Sequence, residues 1–140
     1  TTLFRSCDIN ANDRMQDLVQ ILDQQQVDYK VFEVDGDYPD VAAEVTKAVQ
    51  NGSYDRGILV CGTGIGMAIC ANKFKGIRAA VCHDIYSAQR SILSNDCQIL
   101  TMGSFIVGTK LAQEILKVWL AIERTGGTVD KVKKIEQLEQ

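Results

Sequence analysis

Five cysteines, a lone histidine and a glycine-rich run hold most of the chemistry open to this chain. The densest of these features is Cys61-Gly62-Thr63-Gly64-Ile65-Gly66. It follows Gly57-Ile58-Leu59-Val60, an apolar run that reads as a strand covered on both faces, and it opens a helical pattern running to about Asn72. Three glycines at a strand-to-helix junction free backbone N–H groups, and the positive end of the helix dipole adds to them, so the junction reads as an anion cradle. A thiol beside such a cradle is expected to ionise more readily than an ordinary cysteine, which suits it to proton abstraction or nucleophilic attack. The bland alternative is a tight turn that begins with a buried cysteine. A dinucleotide site is a further competitor, with Asp84 where a ribose-binding acid would stand. The spacing, however, is GxGxG and not GxGxxG, and 140 residues leave little chain for a dinucleotide and a substrate domain together.

Cys7-Asp8 and Cys82-His83-Asp84 also follow apolar runs. Asp8 could orient a hydroxyl or shuttle a proton, or it could cap the helix that follows. His83 reads as a solvent-facing turn residue. The cysteines at 7, 61, 70, 82 and 97 are odd in number, form no CxxC and match no zinc spacing, so neither a disulfide framework nor a metal site is expected. Reduced thiols and a cytoplasmic location are the economical reading.

These residues need elements to position them. Short β-rich runs at 3–7, 29–34, 57–61, 77–82 and 97–101 alternate with helical periods at 40–50, 84–93, 105–124 and 129–139, and Asn10 or Asn12 is expected to cap a helix reaching about Gln25. Such alternation predicts an α/β fold, a three-layer doubly wound, Rossmann-like parallel sheet of five strands with helices on both faces. Ligands in such sheets lie beyond the carboxyl ends of the strands, where 7–8, 61–66, 82–84 and 101–103 all fall. The 105–124 helix looks too apolar for one sheet face to cover, which predicts at least a homodimer, with the last helix reaching the neighbour.

At 46% hydrophobic and 24% charged, the chain has the composition of one globular domain spanning 1–140. The net charge of −3, from 15 basic against 18 acidic residues, speaks against a broad nucleic-acid or membrane-surface binder. No apolar run reaches the roughly 18 residues of a membrane span, and no signal-peptide pattern opens the chain.

The residues Asp37-Tyr38-Pro39, the whole 57–66 run, Ala71-Asn72-Lys73, Gly76-Ile77-Arg78-Ala79, Tyr86-Ser87-Ala88, Asn95-Asp96, and Gly103-Ser104 with Val107-Gly108 resemble type B ribose-5-phosphate isomerases. These form one family with the galactose-6-phosphate isomerase subunits. The likeness covers about residues 7–127 and leaves 128–140 as a divergent C-terminal helix. It implies aldose–ketose isomerisation of a sugar phosphate through a cis-enediolate, with no metal or organic cofactor. It implies that Cys61 is the base moving a proton between C1 and C2, and that Thr63, with Gly62, Gly64 and Gly66, belongs to the loop whose amides hold the enediolate oxygen. Asp8 matches an aspartate near the ring oxygen, and Tyr38 and Asn95 match residues lining the sugar. Dimers or tetramers, with each site borrowing residues from a neighbouring subunit, are implied as well.

The departures are specific. The family's CDHxG reads Cys7-Asp8-Ile9-Asn10-Ala11, its HND reads Ser94-Asn95-Asp96, and its tail GGRHxxRV reads Gly126-Gly127-Thr128-Val129-Asp130-Lys131-Val132-Lys133. Phe105 stands where a basic residue is common. The deprotonation machinery therefore matches, whereas the histidine tied to ring opening and both phosphate-binding arginines are replaced. Each charge-assisted bond lost would cost about 1.5–3 kcal/mol. Lys131, with Lys134 on the same helix face, is the expected substitute, acting from a neighbouring subunit; the alternative is a solvated helix face. Ribose 5-phosphate is the default substrate, with hexose 6-phosphates or tetrose phosphates behind it. The competing expectations are a subunit of a heteromeric galactose-6-phosphate-type isomerase and a catalytically silent sugar-phosphate binder. Residues 1–6 look like the translation of a short sequencing adapter standing where the family has its first strand, so they are expected to be a chimeric replacement. Leu3 and Phe4 would still suffice to pair as a strand.

Overall fold

A computed structural model describes residues 2–6, 9–32 and 35–139. The apolar run at the chain's centre forms strand β3 (Arg56–Cys61), and the rest of the sheet assembles around it. In chain order the elements are β1 (Thr2–Ser6), α1 (Ile9–Gln24), β2 (Tyr29–Val31), α2 (Tyr38–Gln50), β3, α3 (Ile65–Ala71), β4 (Ala79–Val81), α4 (Ile85–Leu93), β5 (Ile99–Gly103), α5 (Thr109–Ala121) and α6 (Val129–Glu136). Among the described residues the strands form one parallel sheet in the order β2-β1-β3-β5-β4, with Phe4 of β1 opposite Ile58. The strand order reverses at β1 and β3, and the crevice beyond their carboxyl ends is the place such a sheet offers a ligand.

Side chains along β3 alternate between two cores, as a period of two requires. Ile58 and Val60 face a layer built from α1, α4 and α5, together with Leu100, Met102 and Trp119. Leu59 and Cys61 face the other layer, against Val41 and Val45 of α2 and Met67 and Ala71 of α3. Cys61 is thus turned toward α2 and α3. No helix among the described residues is long and apolar enough to cross a membrane.

Several boundaries differ from the sequence expectation. The helix expected from 105 begins at Thr109, because the preceding amides are used elsewhere: Ser104 and Phe105 N–H donate to the carbonyls of Cys61 and Gly62, and Ile106 and Val107 N–H donate to Gly103 O. Strand β5 runs on to Gly103 for the same reason. Helix α1 begins at Ile9, so Asn10 and Asn12 lie inside its first turn and not at a cap. The strand expected over 29–34 ends at Val31, and its residues 33 and 34 lie outside the described residues. Much of the apolar face of α5 is covered within the chain: the helix packs against α1 and α4 and Trp119 has 0% exposure, while Leu111 at 40% stays exposed.

The amino edge of the sheet is locked by ions. Asp96 receives Arg78 at 3.1 Å and Arg124 at 2.9 Å. The Arg78 side chain also donates to the carbonyls of Asn95 and Asp96 and reaches Glu136 of α6 at 3.1 Å. Both Arg78 and Asp96 are buried, and Asp96 adopts a left-handed backbone with φ 50. Removing one member of a buried pair leaves the other uncompensated. Asp96→Ala is therefore expected to lower the unfolding free energy by about 3 kcal/mol or more, measured by urea denaturation. Asp96→Asn tolerates the same backbone, so the difference between the two variants reads the backbone part separately.

Candidate active site

Cys61 ends β3 and is 7% exposed. Its Sγ accepts a hydrogen bond from Gly64 N–H at 3.1 Å. The chain can fold back this tightly because Gly64 sits at φ 76 as the cap of α3, where a Cβ would fall 2.8 Å from the Met102 carbonyl carbon. Strand β5 shapes the loop from the other side. Ser104 N–H donates to Cys61 O at 2.8 Å, Phe105 N–H to Gly62 O at 3.1 Å, and Thr101 Oγ1 to Gly64 O at 2.8 Å. Gly103 lies so close to the loop that a Cβ there would fall 2.6 Å from Thr63 Cα. Thr63 is exposed, and its Oγ1 accepts from Ile65 N–H at 3.3 Å.

The amide inventory differs from the sequence expectation. Gly64 N–H is directed at the Cys61 sulfur and not outward, whereas the N–H groups of Thr63 and Gly66 have no acceptor among the described residues. The sulfur thus takes one amide of the loop, and the Thr63 and Gly66 amides stay uncommitted among the described residues. An N–H···S bond strengthens when the sulfur is ionised.

The loop floors an open cleft of about 530 Å³ lined by Tyr38, Cys61, Gly62, Thr63, Ile65, Gly66, Ile69 and Phe105. Tyr38, first residue of α2, lays its ring on Gly66, where a Cβ would fall 2.5 Å from the ring. The Phe105 ring lies over Gly62, 3.0 Å from the place a Cβ would take. No basic side chain is among the cleft's described lining residues. Sequence reasoning missed Ile65 and Ile69, both more than half exposed on α3, and saw in Phe105 only a missing cation.

The other expected site residues fall in three places. Asp8, with Cys7, lies outside the described residues. Asn95 and Lys131 are at the far edge of the sheet: α4 carries the chain back to Asn95 before β5 starts, and Thr128 N–H, at the cap of α6, donates to Ser94 O at 2.9 Å. The length of β5 alone, at about 3.3 Å per residue, separates that edge from Cys61, so one chain does not bring these residues together. Lys131 and Lys134 are exposed. His83 and Asp84 lie at the carboxyl end of β4. His83 is half-buried and accepts a hydrogen bond from Gly103 N–H at 2.9 Å, which corrects the solvent-facing reading. Asp84 caps α4 by accepting Ser87 N–H at 2.7 Å, and that bond holds its carboxyl below the usual range. Burial pushes the Cys82 thiol up to about 11 and the Cys97 thiol up to about 12, which marks both as packing residues. No cluster of three His, Cys, Asp or Glu placed to hold a metal is found among the described residues.

Comparison with known proteins points one way. Residues 5–138 match the family described as Ribose/Galactose Isomerase. A D-erythrulose-4-phosphate isomerase of Pectobacterium atrosepticum is 54% identical over 99 residues, 70% of this chain and 65% of that protein. A ribose-5-P isomerase B of Listeria innocua is 52% identical over 104 residues, 74% of this chain and 70% of that protein. The solved structure of ribose-5-phosphate isomerase B from Clostridium thermocellum superposes with a TM-score of 0.90 at 37% identity, covering 99% of this chain and 97% of that one.

The contact of Gly103 with Thr63 makes a test of the loop's bracing. Gly103→Ala places a methyl 2.6 Å from backbone that cannot swing aside, so the β5 end and the loop must part. The expected cost is about 1–3 kcal/mol in chemical denaturation, with the amide resonances of 61–64 displaced. A variant as stable as the parent, with those resonances unmoved, would contradict the bracing.

Proposed function

The chain belongs to the ribose/galactose isomerase family, and from that premise we propose that it interconverts the aldose and ketose forms of a phosphorylated sugar, with Cys61 as the base. The observation that carries this is the Cys61 sulfur, held by Gly64 N–H on the floor of the cleft beside the Thr63 and Gly66 amides, which have no acceptor among the described residues. The Cys61 thiolate takes the proton from C2 of the open-chain aldose. The C2–H electron pair becomes the C1–C2 double bond, and the carbonyl pair moves onto O1. Thr63 and Gly66 N–H and the Thr63 hydroxyl face that charge, which exists only around the transition state. The O2 hydroxyl proton passes to O1; the O2 electron pair then forms the C2 carbonyl while the C1–C2 double-bond pair takes the proton back from sulfur at C1, giving the ketose and restoring the thiolate. Gly62 and Gly64 keep the loop open to the substrate, and Tyr38 bounds the sugar. Asp8 keeps the place beside the ring oxygen that the family resemblance gives it.

Ribose 5-phosphate is the default substrate. A tetrose 4-phosphate is the second reading, and a specific observation favours it. Ser94 replaces the histidine tied to ring opening, and a four-carbon aldose esterified at O4 has no hydroxyl with which to close a five-membered ring. Such a substrate presents its carbonyl without ring opening, and the erythrulose-4-phosphate relative supports this reading.

The phosphate is proposed to be met by a second copy, in a homodimer or homotetramer, or by a homologous subunit. Asn95 and Lys131, with Lys134, lie at the sheet edge remote from their own Cys61, so a partner's amino edge must bring them. The exposed faces of Tyr38, Ile65, Ile69 and Phe105 give that edge an apolar seat. On this reading the chain is one domain working in the reducing cytoplasm, and α6 borders the neighbour's site. A silent binder is the less favoured reading, since the Cys61–Gly66 loop is intact.

Two measurements test this. Cys61→Ser is expected to keep the fold and lose about 10²–10⁴-fold in kcat, since a hydroxyl is a poor base at neutral pH; wild-type turnover would refute the assignment. A Lys131→Ala, Lys134→Ala chain is expected to bind sugar phosphate more weakly. Mixing it with Cys61→Ser chains should restore about a quarter of wild-type activity, because half of random dimers would hold one complete site. Absence of any recovery would overturn the shared site.

A further inference from the structure

We propose that His83 is a positioning residue for the Cys61 loop, its neutral imidazole standing in for a strand carbonyl to fix the end of β5. The proposal deepens the reading of Cys61 as the base. Its structural arm is read without turnover, so the two can fail separately.

Strands β4 and β5 pair as far as Val81 opposite Thr101, and Cys82 N–H donates to Thr101 O at 3.0 Å. There β4 leaves the sheet, because Asp84 must cap α4. A parallel ladder spaces its bonds evenly, so the next donor on β5, Gly103 N–H, meets the gap left by that departure. The His83 imidazole fills it: Nε2 accepts Gly103 N–H at 2.9 Å. An acceptor Nε2 is unprotonated, and the ring's one proton then sits on Nδ1.

Gly103 is where this matters for the site. On either side of it, Thr101 Oγ1, Ser104 N–H and Phe105 N–H hold three carbonyls of the loop, those of Gly64, Cys61 and Gly62. Gly103 itself lies against Thr63 Cα. The residue that fixes Gly103 therefore sets the distance between the two groups of donors that shape the loop.

Protonation of Nε2 would turn the acceptor into a donor facing another donor and expel the imidazole. The charged group bearing on His83 among the described residues is Asp84 of its own turn, which favours the protonated ring, while burial opposes it more strongly and holds the pKa below the ordinary value. The Cys82 thiol, pushed up to about 11, is neutral throughout the range concerned. Cys61 lies one strand further on, across Gly103. The sign follows directly. With a folded pKa below the unfolded value of about 6.5, the bond is fully present above that value and is lost as pH falls through the folded pKa.

His83→Ala and His83→Gln test this, since a glutamine amide oxygen reaches about where Nε2 lies and accepts without titrating. His83→Ala is expected to lower kcat about tenfold or more at neutral pH with KM within about twofold, because a loop displaced by a fraction of an ångström misplaces the base. His83→Gln is expected to recover most of kcat and to lose the acid-side fall that the parent has below the His83 pKa. By amide exchange, Gly103 should be protected at pH 7.5 in the parent and in His83→Gln and unprotected in His83→Ala at any pH; at acid pH it should be unprotected in the parent but still protected in His83→Gln. Wild-type kcat with a protected Gly103 in His83→Ala would overturn the proposal. So would an acid limb in His83→Gln identical to the parent's. If His83→Ala fails to fold, the pH profile and exchange of His83→Gln decide alone. If Cys61→Ser retains turnover while the exchange pattern holds, the base assignment falls and the positioning stands.

Discussion

The grip of β5 on the carboxyl end of β3 is the constraint on which the site depends. A glycine-rich loop left to itself would sample many shapes, since glycine loses more backbone entropy on ordering than any other residue. Here three donors from residues 101–105 take the carbonyls of Cys61, Gly62 and Gly64. With those carbonyls held, the loop's amides are left to turn elsewhere: Gly64 N–H goes to the sulfur, and Thr63 and Gly66 N–H have no acceptor among the described residues. The same donors are why α5 starts late. A backbone amide serves one acceptor well, and residues 104–107 give theirs to the loop and to Gly103 before a helix can claim them.

A second consequence of the topology is a division between the two ends of the sheet. The carboxyl end holds Cys61, its glycine loop and two aromatic rings, with apolar walls and no described cation lining the cleft. The amino end holds the ion network of Arg78, Asp96, Arg124 and Glu136, which fixes residues 94–96 and ties α6 to them. Asn95 and Lys131 are thus carried on a rigid edge, and a rigid edge can be offered to another molecule at little entropic cost. The apolar rim around Cys61 is complementary in kind to such docking.

Legibility in the sequence followed the range of the interactions. Strand β3 and the loop after it are written in adjacent residues, and reading along the chain finds them. The late start of α5 is not, because Phe105 and Ile106 continue its apolar pattern and only Cys61, Gly62 and Gly103 explain the break. His83 reads as a turn residue from its neighbours; its partner is twenty residues away on another strand. Asn10 and Asn12 are good caps by type, yet the helix begins before either of them, at Ile9. Motif order along the chain placed Asn95 with the sugar-facing residues, while the folded chain puts it at the edge away from Cys61. A motif records what a family uses, and says nothing about which copy supplies it.

That division bears on how binding energy reaches the reaction. A phosphate gripped away from the reacting carbons contributes to rate only if its grip tightens the alignment of C1 and C2 with the base. In this chain Thr128 and Val132 stand where the family has arginines, and the expected substitutes are Lys131 and Lys134; a lysine meets phosphate as a point charge on a flexible stem and not as a bidentate fork. On the proposed shared site such an anchor would be looser than an arginine fork, and the shape of the cleft would carry more of the alignment. Tyr38 and Phe105 are rings seated on the glycines Gly66 and Gly62, which fixes their backs against backbone and leaves their free faces toward the cleft. Two apolar walls of this kind would confine a short carbon chain without any charge at all, and the smaller the sugar, the larger the share of its alignment they would supply.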